Sequence, residues 1–227
     1  MPQANRVLAT AESDEGRLEL LQRGDGAFLI TLAGRVLMNS AQNRSEVILG
    51  ELVAHRIATL AQPRMLIGGL GLGCTLRAAL DILPKTADVA VAEINPVVVE
   101  WCRGPLNCLN DEAVRDPRVQ VLEADVIDVI AGLREKPCDA IVLDLYEGPR
   151  TATQGANDRL YGTKAIRSAW NALRPGGTYA VWGEAPDVPY EKRLRSVGFE
   201  VERRRPGRGG LRHVVYFATR PDQRRSK

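Results

Sequence analysis

Short apolar runs interrupted by glycine open the chain. Arg17-Leu-Glu-Leu-Leu-Gln22, Ala27-Phe-Leu-Ile-Thr-Leu32 and Arg35-Val-Leu-Met38 are β-prone, and Gly24-Asp-Gly26 and Ala33-Gly34 separate them. That spacing predicts a small hairpin meander within residues 1–44. From Ser45 the period changes: Val47, Ile48, Leu52, Val53, Ile57 and Leu60 recur at helical spacing, with Ser45 as a candidate N-cap. Beyond Met65 apolar strand runs alternate with helical patterns over 75–83, 96–103, 126–133 and 164–173. Arg174-Pro-Gly-Gly177 stops the last of these helices and launches Thr178-Tyr-Ala-Val-Trp182. A short helix over 189–197 and two closing strands, 200–202 and 214–218, follow. The alternation predicts an α/β domain over 45–220, a Rossmann-like, doubly wound and mostly parallel sheet with an antiparallel C-terminal strand. Residues 221–227 read as a basic tail.

The strand ends carry the candidate chemistry. Met65-Leu-Ile-Gly-Gly-Leu-Gly-Leu-Gly-Cys-Thr-Leu-Arg77 runs from a strand through Gly69, Gly71 and Gly73 into a helix. Glycines there let the backbone turn tightly and approach a ligand. Glu93 closes the next apolar run, where an acid can hold a ribose diol. Asp125 follows the third run and suits an adenine amine, or a helix N-cap, or both at once. Asp144 follows the fourth. In sheets of this kind ligands lie beyond the carboxyl ends of the strands, where all four positions fall. A nicotinamide fingerprint would need G-x-G-x-x-G, but Cys74 and Leu76 occupy the third-glycine position in the two possible registers.

At 227 residues with 44% hydrophobic and 26% charged residues, the chain is long enough to bury a proper core. No apolar run approaches the roughly 18 residues of a membrane span, and Met1-Pro-Gln-Ala-Asn-Arg6 lacks a signal-like apolar stretch, so a cytoplasmic protein is expected. The formal charge of +3 is concentrated in the arginine-glycine loop at 203–212 and in the tail, read as a solvated loop and tail rather than a nucleic-acid surface. Cys74, Cys102, Cys108 and Cys138 show no C-x-x-C spacing and are expected as buried free thiols, with no metal site.

Residues 45–186 resemble the spermidine synthase family, whose members share the class I S-adenosylmethionine methyltransferase fold. The glycine-rich segment 66–77 looks like that family's first-strand motif, Val91-Ala-Glu-Ile-Asn95 like its ribose-binding segment, and Glu123-Ala-Asp125 like its adenine-binding turn. Asp144-Leu-Tyr-Glu-Gly-Pro149 falls where the family carries its D-x-x-D-P segment. The resemblance implies Asp144 as the amine-activating acid and Glu147 as the second acid, with S-adenosylmethionine or its decarboxylated form as donor and a small-molecule amine as acceptor. The meander before Ser45 resembles the family's N-terminal β domain.

Asp144, Glu147, Glu184 and Asp187 are expected to line an acidic cleft, with Tyr161 and the polar stretch 151–157 in a lid. Trp101 and Trp182 are read as core in preference to base-stacking platforms. Two departures matter. Leu72 stands where the family places an acid for the donor's amine, and Leu49 and Gly50 replace its diamine-binding Tyr and His or Gln, although Glu51 is kept. A leucine cannot anchor an ammonium, and the similar putrescine N-methyltransferases also carry an apolar residue there. Methyl transfer is therefore expected ahead of aminopropyl transfer. A module that binds nucleoside without catalysis is the second alternative. The sequence leaves the oligomeric state open, a homodimer being one option.

Overall fold

The computed structural model describes residues 5–13, 16–150, 158–205 and 213–222. The lid stretch 151–157, the heart of the arginine-glycine loop and the basic tail from 223 lie outside these residues. An antiparallel sheet opens the chain: β1 (Arg6–Ser13), β2 (Gly16–Gln22), β3 (Phe28–Leu32) and β4 (Arg35–Asn39), in the order β1-β2-β3-β4. The meander is as expected from its turns, with one added strand. β1 escaped sequence reading because it is an edge strand in which neither face is fully buried, so its residues show no apolar alternation.

Helix α1 (Arg44–Ile57) follows. Ser45 does not cap it: the cap position is Asn43, and the Ser45 hydroxyl instead donates to the Glu46 carboxylate at 2.7 Å. Leu49, Val53, Ala54 and Ile57 form the buried face of α1. It packs on α2 (Cys74–Ile82) so closely that a Cβ on Gly50 would come within 2.4 Å of the Thr75 carbonyl oxygen.

The second sheet contains β5 (Arg64–Gly68), β6 (Asp88–Glu93), β7 (Val119–Glu123), β8 (Cys138–Leu143), β9 (Leu173–Gly183), β10 (Glu200–Arg204) and β11 (Val214–Thr219). Its order is β10-β11-β9-β8-β5-β6-β7, parallel from β7 through β9 and antiparallel at β11 and β10. Side chains alternate between two cores. Met65, Ile67, Val89, Val91, Ala140 and Val142 face α1, α2 and α3 (Pro96–Arg103). Leu66, Ile141, Leu143, Tyr179 and Val181 face α5 (Val126–Gly132), α6 (Thr163–Ala172) and α7 (Val188–Val197) on the other side. Strands buried on both faces read as continuous apolar runs, which is why the sequence shows them so clearly. A four-residue helical turn, α4 (Asn107–Asn110), follows α3.

The Arg174-Pro-Gly-Gly177 turn is present as an interruption of β9: pairing jumps from Cys138↔Leu173 to Ala140↔Thr178. Among the cysteines, Cys102 and Cys138 are buried as expected, Cys74 is partly buried and Cys108 is exposed. Arg203 pairs with Glu191 at 2.7 Å and Arg204 pairs with Glu202, so these arginines serve local ion pairs. Among the described residues no helix is long and apolar enough to cross a membrane.

Candidate active site

The chain leaves β5 toward β6 on one side and later returns to β8 on the other, so the sheet order reverses between β5 and β8. That is where a crevice must open. The Asp144 N–H donates to the Gly68 oxygen at 2.9 Å and the Gly69 N–H donates to Ala92 at 2.9 Å, which holds the three strand ends level. Gly69, Gly71 and Gly73 all have positive φ. At Gly69, with φ of 91°, a Cβ would lie 2.4 Å from the Asp144 carbonyl oxygen, so this position tolerates glycine alone. Gly73 turns in the left-handed region into the start of α2, and Met38 from the N-terminal sheet lies over Gly71.

Glu93 clamps this loop. One carboxylate oxygen accepts the Leu70 N–H and the other accepts the Asn95 N–H, each at 2.9 Å. Each oxygen retains a second acceptor position, so the two hydroxyls of a ribose diol can donate to it. Asp125 accepts the Ile127 N–H at 2.8 Å as the N-cap of α5, and its other oxygen pairs with Arg159 at 2.9 Å. The cap reading of Asp125 is therefore realised, and an arginine already stands at the position proposed for an adenine amine. Neither Glu93 nor Asp125 lines the neighbouring cavity.

That cavity, about 450 Å³, lies between the N-terminal sheet, the start of α1, the glycine loop and the ends of β8 and β9. Asp144 and Glu184 line it, as the sequence suggested. Asp144 is hydrogen-bonded by the Thr75 hydroxyl. Burial pushes the Asp144 carboxyl from its ordinary value of 3.8 up to about 7, the Glu46 carboxylate adds to the rise, and the Thr75 hydrogen bond opposes it. Glu184 pairs with Arg150.

Three expected cleft residues are placed elsewhere. Tyr161 is 1% exposed and packs edge-on to Tyr190. It touches the site only indirectly, its hydroxyl donating to the Glu147 carbonyl at 2.6 Å and so bracing the loop after Asp144. Asp187 caps α7 by accepting the Tyr190 N–H at 2.7 Å. Glu147 lies outside the cavity lining, 3.8 Å from the Arg35 guanidinium.

Other lining residues were missed by sequence reading. Glu46, Met38 and Arg35 come from the meander and the first turn of α1, and His213 stacks edge-on against Trp182 at 4.9 Å. Trp182 thus lines the cavity, whereas Trp101 is core. Leu49 is fully buried and Glu51 is exposed, so the acid that α1 presents to the cavity is Glu46, one turn earlier. The available signal was an acid in the first turn of the helix that joins the meander to the glycine-loop domain.

The fold and this crevice define the class. The structure superposes on spermidine synthase from Thermotoga maritima with a TM-score of 0.72 and 20% identity, covering 96% of this chain and 74% of that one. It matches a spermidine synthase solved in complex with the transition-state analogue AdoDATO equally well, with a TM-score of 0.72 and 19% identity, over 96% and 73% of the two chains. The chain therefore has the spermidine synthase fold, of the class I methyltransferase type.

In sequence it is similar to polyamine aminopropyltransferases. It is 28% identical to that of Mycobacterium tuberculosis (strain H37Rv) over 81% of this chain and 34% of the relative. It is 31% identical to that of Aeropyrum pernix over 64% of this chain and 47% of the relative. The chain thus spans about a third of the mycobacterial protein and just under half of the archaeal one. No protein-family model matches it.

Proposed function

We propose that this chain is a transferase that moves an aminopropyl group from decarboxylated S-adenosylmethionine to a small amine. The observation that carries the reading is a carboxyl poised near neutrality, Asp144, at the sheet's switch point beside a glycine loop and a cavity of about 450 Å³. The donor contributes an electrophilic carbon on a positively charged sulfur, which departs as a neutral thioether. Glu93 and the glycine loop fit its ribose. The chain's remaining task is alignment and proton removal. An alkylamine is protonated at neutral pH, much like a lysine side chain. Asp144 accepts its proton and so releases the lone pair for attack, and a C–N bond forms as the C–S bond breaks.

The named relatives support aminopropyl over methyl transfer and reverse the order expected from sequence. One observation favours the second reading, methyl transfer from ordinary S-adenosylmethionine. Leu72 lines the cavity, is 6% exposed, and offers no charge to a donor ammonium. Calorimetry with the two donors side by side tests the choice. Tighter binding of the decarboxylated donor supports the proposal, preference for the carboxylated donor overturns it in favour of methyl transfer, and binding of neither overturns both.

A further inference from the structure

We infer that Glu46 is the amine-binding carboxylate of this site, holding the acceptor's cationic nitrogen against Asp144 while Asp144 alone takes the proton. The inference deepens the transferase reading and rests on it. Glu46 and Asp144 line the same cavity from opposite elements, the first turn of α1 and the end of β8. Thr75 ties them together: its hydroxyl donates to Asp144 and lies 3.1 Å from the Glu46 carbonyl oxygen. The Ser45 hydroxyl donates to the Glu46 carboxylate at 2.7 Å and fixes its direction.

The acids around this cleft differ in their charge partners. Glu184 is paired with Arg150, Glu147 with Arg35, and Asp125 with Arg159. Among the described residues no lysine, arginine or histidine forms an ion pair with Glu46 or Asp144. Two like charges facing one desolvated space disfavour each other's ionisation unless a cation joins them. An ammonium carries the single charge and the several N–H donors that such a pair accepts. Asp144, with Thr75 as its neighbour and the β5–β8 switch point beneath it, is the member placed over the donor's glycine loop, which leaves Glu46 as the holder. The proton passes from the ammonium to the Asp144 carboxylate, giving a neutral amine and a carboxylic acid, and nothing further is consumed.

The experiment compares Glu46→Gln with Glu51→Gln, an exposed acid of the same helix. Both variants are checked for folding by thermal melting, and 5′-methylthioadenosine binding is measured separately from turnover with a panel of primary mono- and diamines. Loss of one charge-assisted contact predicts a KM for amine raised about tenfold or more in Glu46→Gln, with methylthioadenosine affinity unchanged and Glu51→Gln behaving as the parent. The acidic limb of kcat also moves to lower pH in Glu46→Gln. The other groups around Asp144, namely Arg35 of β4, Cys74, Tyr161, His213 and the paired Glu184 and Glu147, are the same in parent and variant. An unchanged KM and an unmoved limb with nucleoside binding intact overturn the role of Glu46 alone. Absence of methylthioadenosine binding in the parent, or of turnover with every amine, overturns the transferase reading and this inference with it. If Glu46→Gln fails to fold, Glu46→Asp carries the same comparison, with a smaller rise in KM expected and an unchanged KM counting against the inference.

Discussion

The two halves of the crevice are built on opposite plans. On the β5–β7 side, the acids are already occupied by the chain itself: Glu93 holds two backbone N–H groups and Asp125 holds a helix start and an arginine. Around the end of β8 and the start of α1, Asp144 and Glu46 face a cavity and, among the described residues, take hydrogen bonds from hydroxyls and no ion pair. A preorganised frame suits a ligand whose shape is constant, such as a nucleoside, because no reorganisation is required on binding. Carboxylates without countercharge suit a ligand that brings its own, such as an amine.

The largest effect that would test this contrast is on turnover. Asp144→Asn removes the proton acceptor and nothing from the nucleoside frame, so kcat is expected to fall by about 10²–10⁴-fold, with nucleoside affinity near that of the parent. Equal loss of both would show that the halves are not separable. Gly69→Ala acts on both at once, because its φ of 91° and the 2.4 Å approach to the Asp144 carbonyl oxygen join the halves. A side chain forced into such a position costs about 1–3 kcal/mol from backbone strain alone, and a lowered denaturant midpoint with weakened nucleoside binding is expected. Glu93→Ala belongs to the frame only. It leaves the buried Leu70 N–H and the half-buried Asn95 N–H without their acceptor, worth about 1–3 kcal/mol for the buried one, and should abolish the rise in Tm that nucleoside produces.

The contrast also explains what the sequence could reveal. The glycine loop, Glu93 and Asp125 are local features: each sits a fixed distance from an apolar run, and strands buried on both faces announce themselves. Asp144 and Glu184 were legible for the same reason, as residues at strand ends. Glu46, Arg35 and His213 reach the cavity only through tertiary packing, the first two from α1 and the meander and the last from the residue just before β11. No periodicity encodes that meeting. Tyr161 and Asp187 failed in the opposite way. Both lie beside the site in sequence, yet the need to satisfy a buried hydroxyl and a helix N-terminus claimed them first.

The unpaired side of the crevice has a cost that pH exposes. The Asp144 carboxyl is raised in the folded protein from 3.8 to about 7, so folding favours its protonated form. Its stabilising contribution is fully present below the unfolded value of 3.8 and is lost as pH rises through about 7. Urea midpoints measured from pH 5 to pH 8 should therefore decline with a slope that Asp144→Asn flattens, the variant gaining on the parent as pH rises. A parallel decline in the two proteins would mean that Asp144 is not desolvated.

The smallest effect falls on Arg159, an exposed charge paired with Asp125 on the nucleoside side of the crevice. Its side chain is 68% exposed, so its pair with Asp125 is worth about 0–1 kcal/mol at most and Arg159→Ala should leave the midpoint nearly unmoved. Removing it returns one Asp125 oxygen to solvent while the other continues to cap α5. If that oxygen receives the exocyclic amine of an adenine, the variant should bind 5′-methylthioadenosine at least as tightly as the parent and discriminate more strongly against the inosine analogue, which lacks the amine. A loss of affinity that is equal for the two nucleosides would instead place Arg159 against the sugar or sulfur end of the ligand. Asp125 would then be a helix cap and nothing more, and the frame on that side would be set by Glu93 and the glycine loop alone.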